Sequence, residues 1–104
     1  MIKVSVLYPN DEGAKFDMGY YVDKHMGMVQ RVLGSAMLKF EIEEGISGAA
    51  PDSRPTYRAA VHMYFASTEA FYAAFGPHAK QILNDVANYT DVRAITQISN
   101  VIGG

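Results

Sequence analysis

Ile2, Val4 and Val6 alternate with Lys3 and Ser5 before Leu7-Tyr8 runs into Pro9-Asn10. Period-two alternation closed by a turn signal predicts a strand over 2–8. After the loop "NDEGAK", apolar residues recur at helical spacing, with Asp17 placed to cap and Gly34 placed to stop a helix ending near Leu33. Gly19 and Gly27 inside it each cost about 1 kcal/mol relative to alanine, and the apolar spacing carries the helix in spite of them. A second strand is expected over 37–45 and a turn-rich loop over "GISGAAPDSRP". The β-branched and aromatic run 57–65 predicts a third strand. Ser67 caps a helix bearing Phe71, Ala74 and Phe75, which Gly76-Pro77 ends. Proline at a first turn then starts a short helix over 77–86. "NYTD" connects to a final strand over 92–101.

The order is strand-helix-strand, strand-helix-strand, with the two halves forming a loose internal repeat. It implies an α+β fold, the ferredoxin-like βαββαβ arrangement of a four-stranded antiparallel sheet with its helices on one face. In the third strand, Tyr57, Ala59, Val61, Met63 and Phe65 point one way, and Arg58, Ala60, His62 and Tyr64 the other. Neither set is plainly solvent-coloured, so both faces are expected to be at least partly covered. Helices cover one; a second copy is the natural cover for the other. A face-to-face homodimer is therefore expected.

A chain of 104 residues makes a single domain. It buries roughly two thirds of its unfolded surface, enough for a core but little for a deep private pocket. The net charge of −2 and nine scattered Lys and Arg argue against nucleic acid as a partner. With no cysteine, disulfides, thiolate ligands and thiol nucleophiles are all excluded. Without a signal-like or membrane-spanning run, a cytoplasmic location with no membrane partner is the expectation.

The candidate chemistry is histidine. Met18, Tyr21, Met28, Val29 and Val32 share the face of the first helix with His25, where packing alone would favour leucine. In the second half Phe71, Phe75, His78 and Ile82 form a comparable stripe, interrupted by Gly76-Pro77. Two helices thus each carry an imidazole on an inward stripe among Tyr, Phe and Met. An imidazole titrates near neutrality, and burial or a carboxylate moves it easily, which suits acid–base work on a phenol or an enolisable ketone. A single histidine on an apolar face is more often a hydrogen-bonded core residue, and it is the pair that favours function. His62 has no such surroundings and reads as surface or dimer-face filler. No histidine pair has ligand spacing and no carboxylate falls at i+3 or i+4 from His25 or His78, so no metal site is expected. Asp17 reads as a cap and Asp85 as a helix-end or loop residue. Asn88 and Tyr89 either line a cavity mouth or shape a turn.

The segment "FDMGYYVDKHMGMV" resembles the motif of the EthD family, in which Phe-Asp, a Tyr-Tyr pair and Lys-His-Met occur together; here they are Phe16, Asp17, Tyr20, Tyr21, Lys24, His25 and Met26. "HMYFASTEAFYAAFGPHAKQILNDVANYTD" is similar to the family's second half through Phe65, Ser67, Glu69, Ala70, Phe71, His78, Asn88, Tyr89 and Thr90. The resemblance implies a ferredoxin-like domain that pairs into a dimeric α/β barrel. The family is named for bacterial degradation of ethyl tert-butyl ether. Its wider superfamily includes cofactor-free isomerases, dehydrohalogenases, decarboxylases and monooxygenases acting on aromatic or polyketide-like compounds. Gly27 stands where the family usually has proline; it is expected to loosen the helix beside His25 and widen the cavity there.

Together these readings lead to a cofactor-independent protein with a hydrophobic cavity between helices and sheet. His25 would be the general acid/base and His78 a second donor or orienting group. Tyr20, Tyr21 or Tyr64 would hydrogen-bond a substrate oxygen, and Met28, Phe75, Asn88 and Tyr89 complete the expected substrate-binding set. The competing functions are an accessory module that binds a small apolar ligand without transforming it, and a purely structural dimer.

Overall fold

In a computed structural model of residues 1–104, the alternating start of the chain forms β1 (Ile2–Pro9). The Asp17 carboxylate accepts from the Tyr20 amide at 3.0 Å and begins α1, which runs as Met18–Tyr20, a π-helical turn Tyr21–His25 and Met26–Leu33. Gly34 ends it at φ 57° and ψ −142°, a conformation open only to glycine. β2 (Lys39–Glu44) and β3 (Tyr57–Phe65) follow. A Cβ on Gly45, just after β2, would meet the Tyr57 carbonyl oxygen at 2.1 Å, so only glycine lets the loop leave the sheet there. Ser67 accepts from the Ala70 amide at 3.0 Å to start α2 (Thr68–Phe75). A 3₁₀ turn, Gly76–His78, leads to α3 (Ala79–Asn84), a second 3₁₀ turn to Asn88, and β4 (Ile95–Asn100).

The strands form one antiparallel sheet in the order β2-β3-β1-β4, with the helices packed on one face: the ferredoxin-like α+β arrangement. β3 has the bounds its sequence predicts. β2 and β4 are shorter than expected: Met37 and Val92 are buried in the core without joining strands. Under the helices, Val4 pairs with Met63 and Ile98, and Val6 with Val61 and Thr96. These residues form the floor on which the site is built.

The opposite face is mixed and half-covered. Ser5 Oγ lies 2.9 Å from His62 Nδ1, and His62 Nε2 lies 3.1 Å from the Glu43 carboxylate. Beside them the Lys39 ammonium sits 4.5 Å from the centre of the Tyr64 ring. Tyr64 is thus on the face away from the helices, which removes it from the expected substrate-binding set. No helix is long and apolar enough to cross a membrane.

Candidate functional site

His25 ends the π-helical turn of α1 and is only 4% exposed. Widened turns of this kind are frequent at functional positions in proteins. Here the turn holds the Tyr21 ring nearly parallel to the imidazole, with centres 5.6 Å apart. Tyr89, in the connector after α3, packs on His25 at 4.6 Å. That connector is pinned to the start of α1: the Asp17 amide donates to the Tyr89 carbonyl at 2.8 Å, and the Thr90 hydroxyl donates to the Lys15 carbonyl at 2.6 Å. Phe16 meets the rings of Tyr8, Tyr21 and Tyr89 edge-on and packs the two tyrosines that flank the imidazole.

The carboxylate partner of His25 is Asp85, at the C-terminal end of α3. Its Oδ2 lies 2.9 Å from His25 Nδ1, while its Oδ1 accepts from the Tyr20 hydroxyl at 2.6 Å and the Asn88 side-chain amide at 2.9 Å. Burial opposes ionisation of Asp85, but the hydrogen bonds from Tyr20, Asn88 and His25 outweigh it and hold its pKa below the ordinary carboxylate value. Burial pushes the His25 pKa below its ordinary 6.5, against the opposing pull of Asp85. The pair at neutral pH is therefore a carboxylate and an uncharged imidazole. The ionised Asp85 can only accept, so Nδ1 carries the proton and Nε2 presents its lone pair.

That lone pair faces the Tyr89 hydroxyl at 3.4 Å, a loose contact, and Tyr89 shares a 2.7 Å hydrogen bond with the Tyr8 hydroxyl. With Nε2 accepting, the chain of donors runs from Tyr8 to Tyr89 to His25. Burial raises the pKa of Tyr8, Tyr21 and Tyr89, so all three phenols stay protonated. The Tyr21 hydroxyl comes close to Tyr8 but finds no partner of hydrogen-bond geometry.

His25, Tyr21, Tyr8 and Tyr89 line a cavity of about 790 Å³ between the sheet and the helices. This is the size of a pocket for a small molecule. Of its 25 lining residues 20 are hydrophobic, so a ligand there leaves water for an apolar wall. Val4, Met26, Val29 and Phe71 lie in its buried interior, while Tyr72, Leu83, Ala87, Asp91, Arg93 and Thr96 are lining residues exposed to solvent. The cavity therefore opens between the second pair of helices and β4. Nowhere do three or more His, Asp or Glu side chains converge in a way that would hold a metal ion.

The residues expected from sequence divide clearly. His25, Tyr21, Phe75 and Tyr89 border the cavity. Tyr20 and Asn88 do not; they hold Asp85 from its other side. Met28 is buried in the core away from the cavity wall. His78 is half-buried in the 3₁₀ turn, forms no hydrogen bond and does not border the cavity. The tighter turn imposed by Gly76-Pro77 takes it off the stripe that Phe71 and Ile82 share, so the structure does not pair the two imidazoles. Gly27 has the Arg31 side chain as its neighbour and borders no part of the cavity, so its lack of a side chain does not widen it. Sequence reasoning missed Asp85 and Tyr8. The first is sixty positions from His25 and the second belongs to a strand, so no helical spacing relates either to the imidazole. The only local signal was Asn88 three residues after Asp85.

Residues 12–93 match the EthD domain model. An EthD-like protein from Ralstonia eutropha JMP134 is 46% identical, with a TM-score of 0.93 over 98% of this chain and 92% of that one. An EthD family protein from Bacillus halodurans C-125 is 15% identical, with a TM-score of 0.68 over 98% and 99% of the two chains. A DABB family protein with a ferredoxin-like fold from Mesorhizobium loti MAFF303099, at 12% identity and TM-score 0.58 over 98% and 97%, shares the fold. No curated protein matches the chain. With the domain model spanning most of its length and a relative at nearly half identity, this chain belongs to the EthD family.

Proposed function

We propose that the protein acts on an aromatic, phenolic or other hydrophobic small molecule by proton transfer, with His25 as the general base and then the general acid. The observation that carries this reading is the Nε2 of a buried His25, backed by the Asp85 carboxylate and bordering an apolar cavity. A substrate with an acidified C–H or O–H displaces the loose Tyr89 contact and gives its proton to Nε2. Asp85 stabilises the imidazolium that forms, and the Tyr89 hydroxyl, itself accepting from Tyr8, donates to the oxygen on which negative charge develops. Returning the proton to a different atom gives an isomerisation; loss of a leaving group from the same anion gives a lyase; capture of that anion by oxygen gives an oxygenase. All three begin with the same abstraction, and the imidazole alone supplies it.

The test is hydrogen–deuterium exchange of enolisable aryl ketones and activated phenols in D2O, followed by NMR. The intact protein should accelerate exchange at the activated position, and His25→Gln should abolish it while still binding the compound. Acceleration that survives His25→Gln would end the assignment.

The accessory-module reading is favoured by the wall itself, apolar over most of its surface. It requires ligand affinity without exchange in either variant. A homodimer is part of the proposal, since the half-covered sheet face bearing Ser5, His62 and Tyr64 is suited to a second copy and would close a dimeric α/β barrel. Light scattering at micromolar concentration should give twice the chain mass.

A further inference from the structure

Four arginines occur in the chain, and they are used differently. Arg54 and Arg58 donate to the carbonyls of Asn10 and Ala14. Arg31 lies on the exposed side of α1. Arg93 alone borders the cavity, and it has neither a side-chain hydrogen bond nor a salt bridge. The carboxylate nearest in sequence on the same rim, Asp91, is turned to the loop before α1, where its Oδ1 accepts from the Lys15 amide at 3.0 Å. With His25 uncharged, the cavity holds one cation, and that cation is at the mouth.

The geometry points to a ligand with an apolar, ring-bearing body and an anionic outer end, an aryl or alkyl carboxylate, held by the Arg93 guanidinium. This deepens the reading above and rests on it, since it supposes that the cavity takes a small hydrophobic molecule. The floor has no charge to offer a carboxylate: its hydrogen-bonding groups are phenols and an uncharged imidazole. Burying an anion there would be costly, whereas at the mouth it keeps part of its hydration and gains a bidentate partner. The body therefore goes inward and the charge stays out. That orientation leaves the end remote from the carboxylate next to His25.

Because Arg93 is exposed, its charge is partly screened, and the expected preference is about three- to tenfold rather than the larger factor of a buried pair. The experiment measures binding of 4-phenylbutanoate against 4-phenylbutanamide by calorimetry or NMR shift titration, at pH 8 and low salt, in the intact protein, Arg93→Gln and Arg93→Lys. At pH 8 His25 is uncharged and cannot supply the preference. The acid should bind more tightly than the amide to the intact protein and to Arg93→Lys. Arg93→Gln should bring the acid down to the amide and leave the amide unchanged. Equal binding of the two probes to the intact protein would overturn the inference while leaving the hydrophobic cavity in place. Absence of binding by both would overturn the cavity reading as well. A preference for the acid that survives Arg93→Gln would overturn the role of Arg93 at the ligand, whatever the mass of the assembly.

Discussion

Replacing Asp85 with asparagine should reverse the two nitrogens of His25. The carboxylate now accepts three hydrogen bonds, two on Oδ1 from Tyr20 and Asn88 and one on Oδ2 from His25 Nδ1. An amide offers one accepting oxygen. Keeping it at Oδ1 satisfies two donors, whereas keeping it at Oδ2 satisfies one and sets the new NH2 against that of Asn88. The oxygen therefore stays with Tyr20 and Asn88, and the NH2 faces His25 Nδ1, which must accept. The ring proton moves to Nε2, and the lone pair leaves the cavity. Because the Asp85 charge also supports protonation of His25, its removal should lower the His25 pKa still further. Long-range proton–nitrogen NMR reads both effects from one sample series. Turning the three charge-assisted bonds on this partly exposed carboxylate into neutral ones should cost about 1–3 kcal/mol, and each kcal/mol should lower Tm by roughly 4–8 °C for a domain of this size. Proton-transfer activity should fall by about 10²–10⁴, as expected when a general base is held in the wrong tautomer. An unchanged tautomer with an unchanged titration midpoint would refute the argument, because the geometry would then not be setting the proton's place.

The pH dependence follows from the same pair. The folded-state pKa of His25 lies below the ordinary 6.5, so the unfolded chain binds the extra proton first as pH drops. The stability contributed by uncharged His25 is complete above 6.5 and is lost as pH falls from there through the folded value. Asp85, also depressed, adds a second loss below its ordinary 3.8. Urea unfolding at a series of pH values should show the first loss in the intact protein and not in His25→Gln. Tyr21→Phe removes a fully buried hydroxyl without a partner, and should raise stability by about 1 kcal/mol in calorimetry; a loss of similar size would mean that the hydroxyl is bonded. Gly34→Ala forces a side chain into a conformation that only glycine takes easily, and should cost about 1–3 kcal/mol by urea unfolding.

Much of the fold was legible because it depends on local periodicity. The alternation in β1 and β3, the Asp17 and Ser67 caps and the Gly34 stop each act within a few residues, and each is found where the pattern puts it. The ends of β2 and β4 were not: Val92, for one, is as buried as a strand residue, but it serves the cavity wall before pairing begins. His25 stood out because imidazole is a poor choice for an apolar stripe unless something bonds it. What bonds it could not be read, because Asp85 and Tyr89 come from the other half and are brought to His25 by long-range contacts such as the bridge between Phe16 and Thr90. The same limit misdirected the reading of His78, which has stripe spacing in a regular helix and loses it in a 3₁₀ turn.

The position of Asp85 also explains how one site can be both apolar and basic. A carboxylate in the cavity wall would repel the anion formed when a proton is taken and would cost desolvation whenever a ligand covered it. Here Asp85 does not border the cavity; it stands behind the imidazole, with 18% of its side chain exposed and its other oxygen held by Tyr20 and Asn88. Its charge reaches the substrate side only through His25. Burial weakens the proposed base, the hidden carboxylate restores part of its strength, and the charged lining residues, Asp91 and Arg93, stand at the exposed mouth, so the interior offers phenols, hydrocarbon and one nitrogen lone pair. The site therefore depends on its two halves docking correctly. α1 supplies the imidazole proposed as the base and the turn that aims it, and the segment after α3 supplies the charge behind it and the hydroxyl in front.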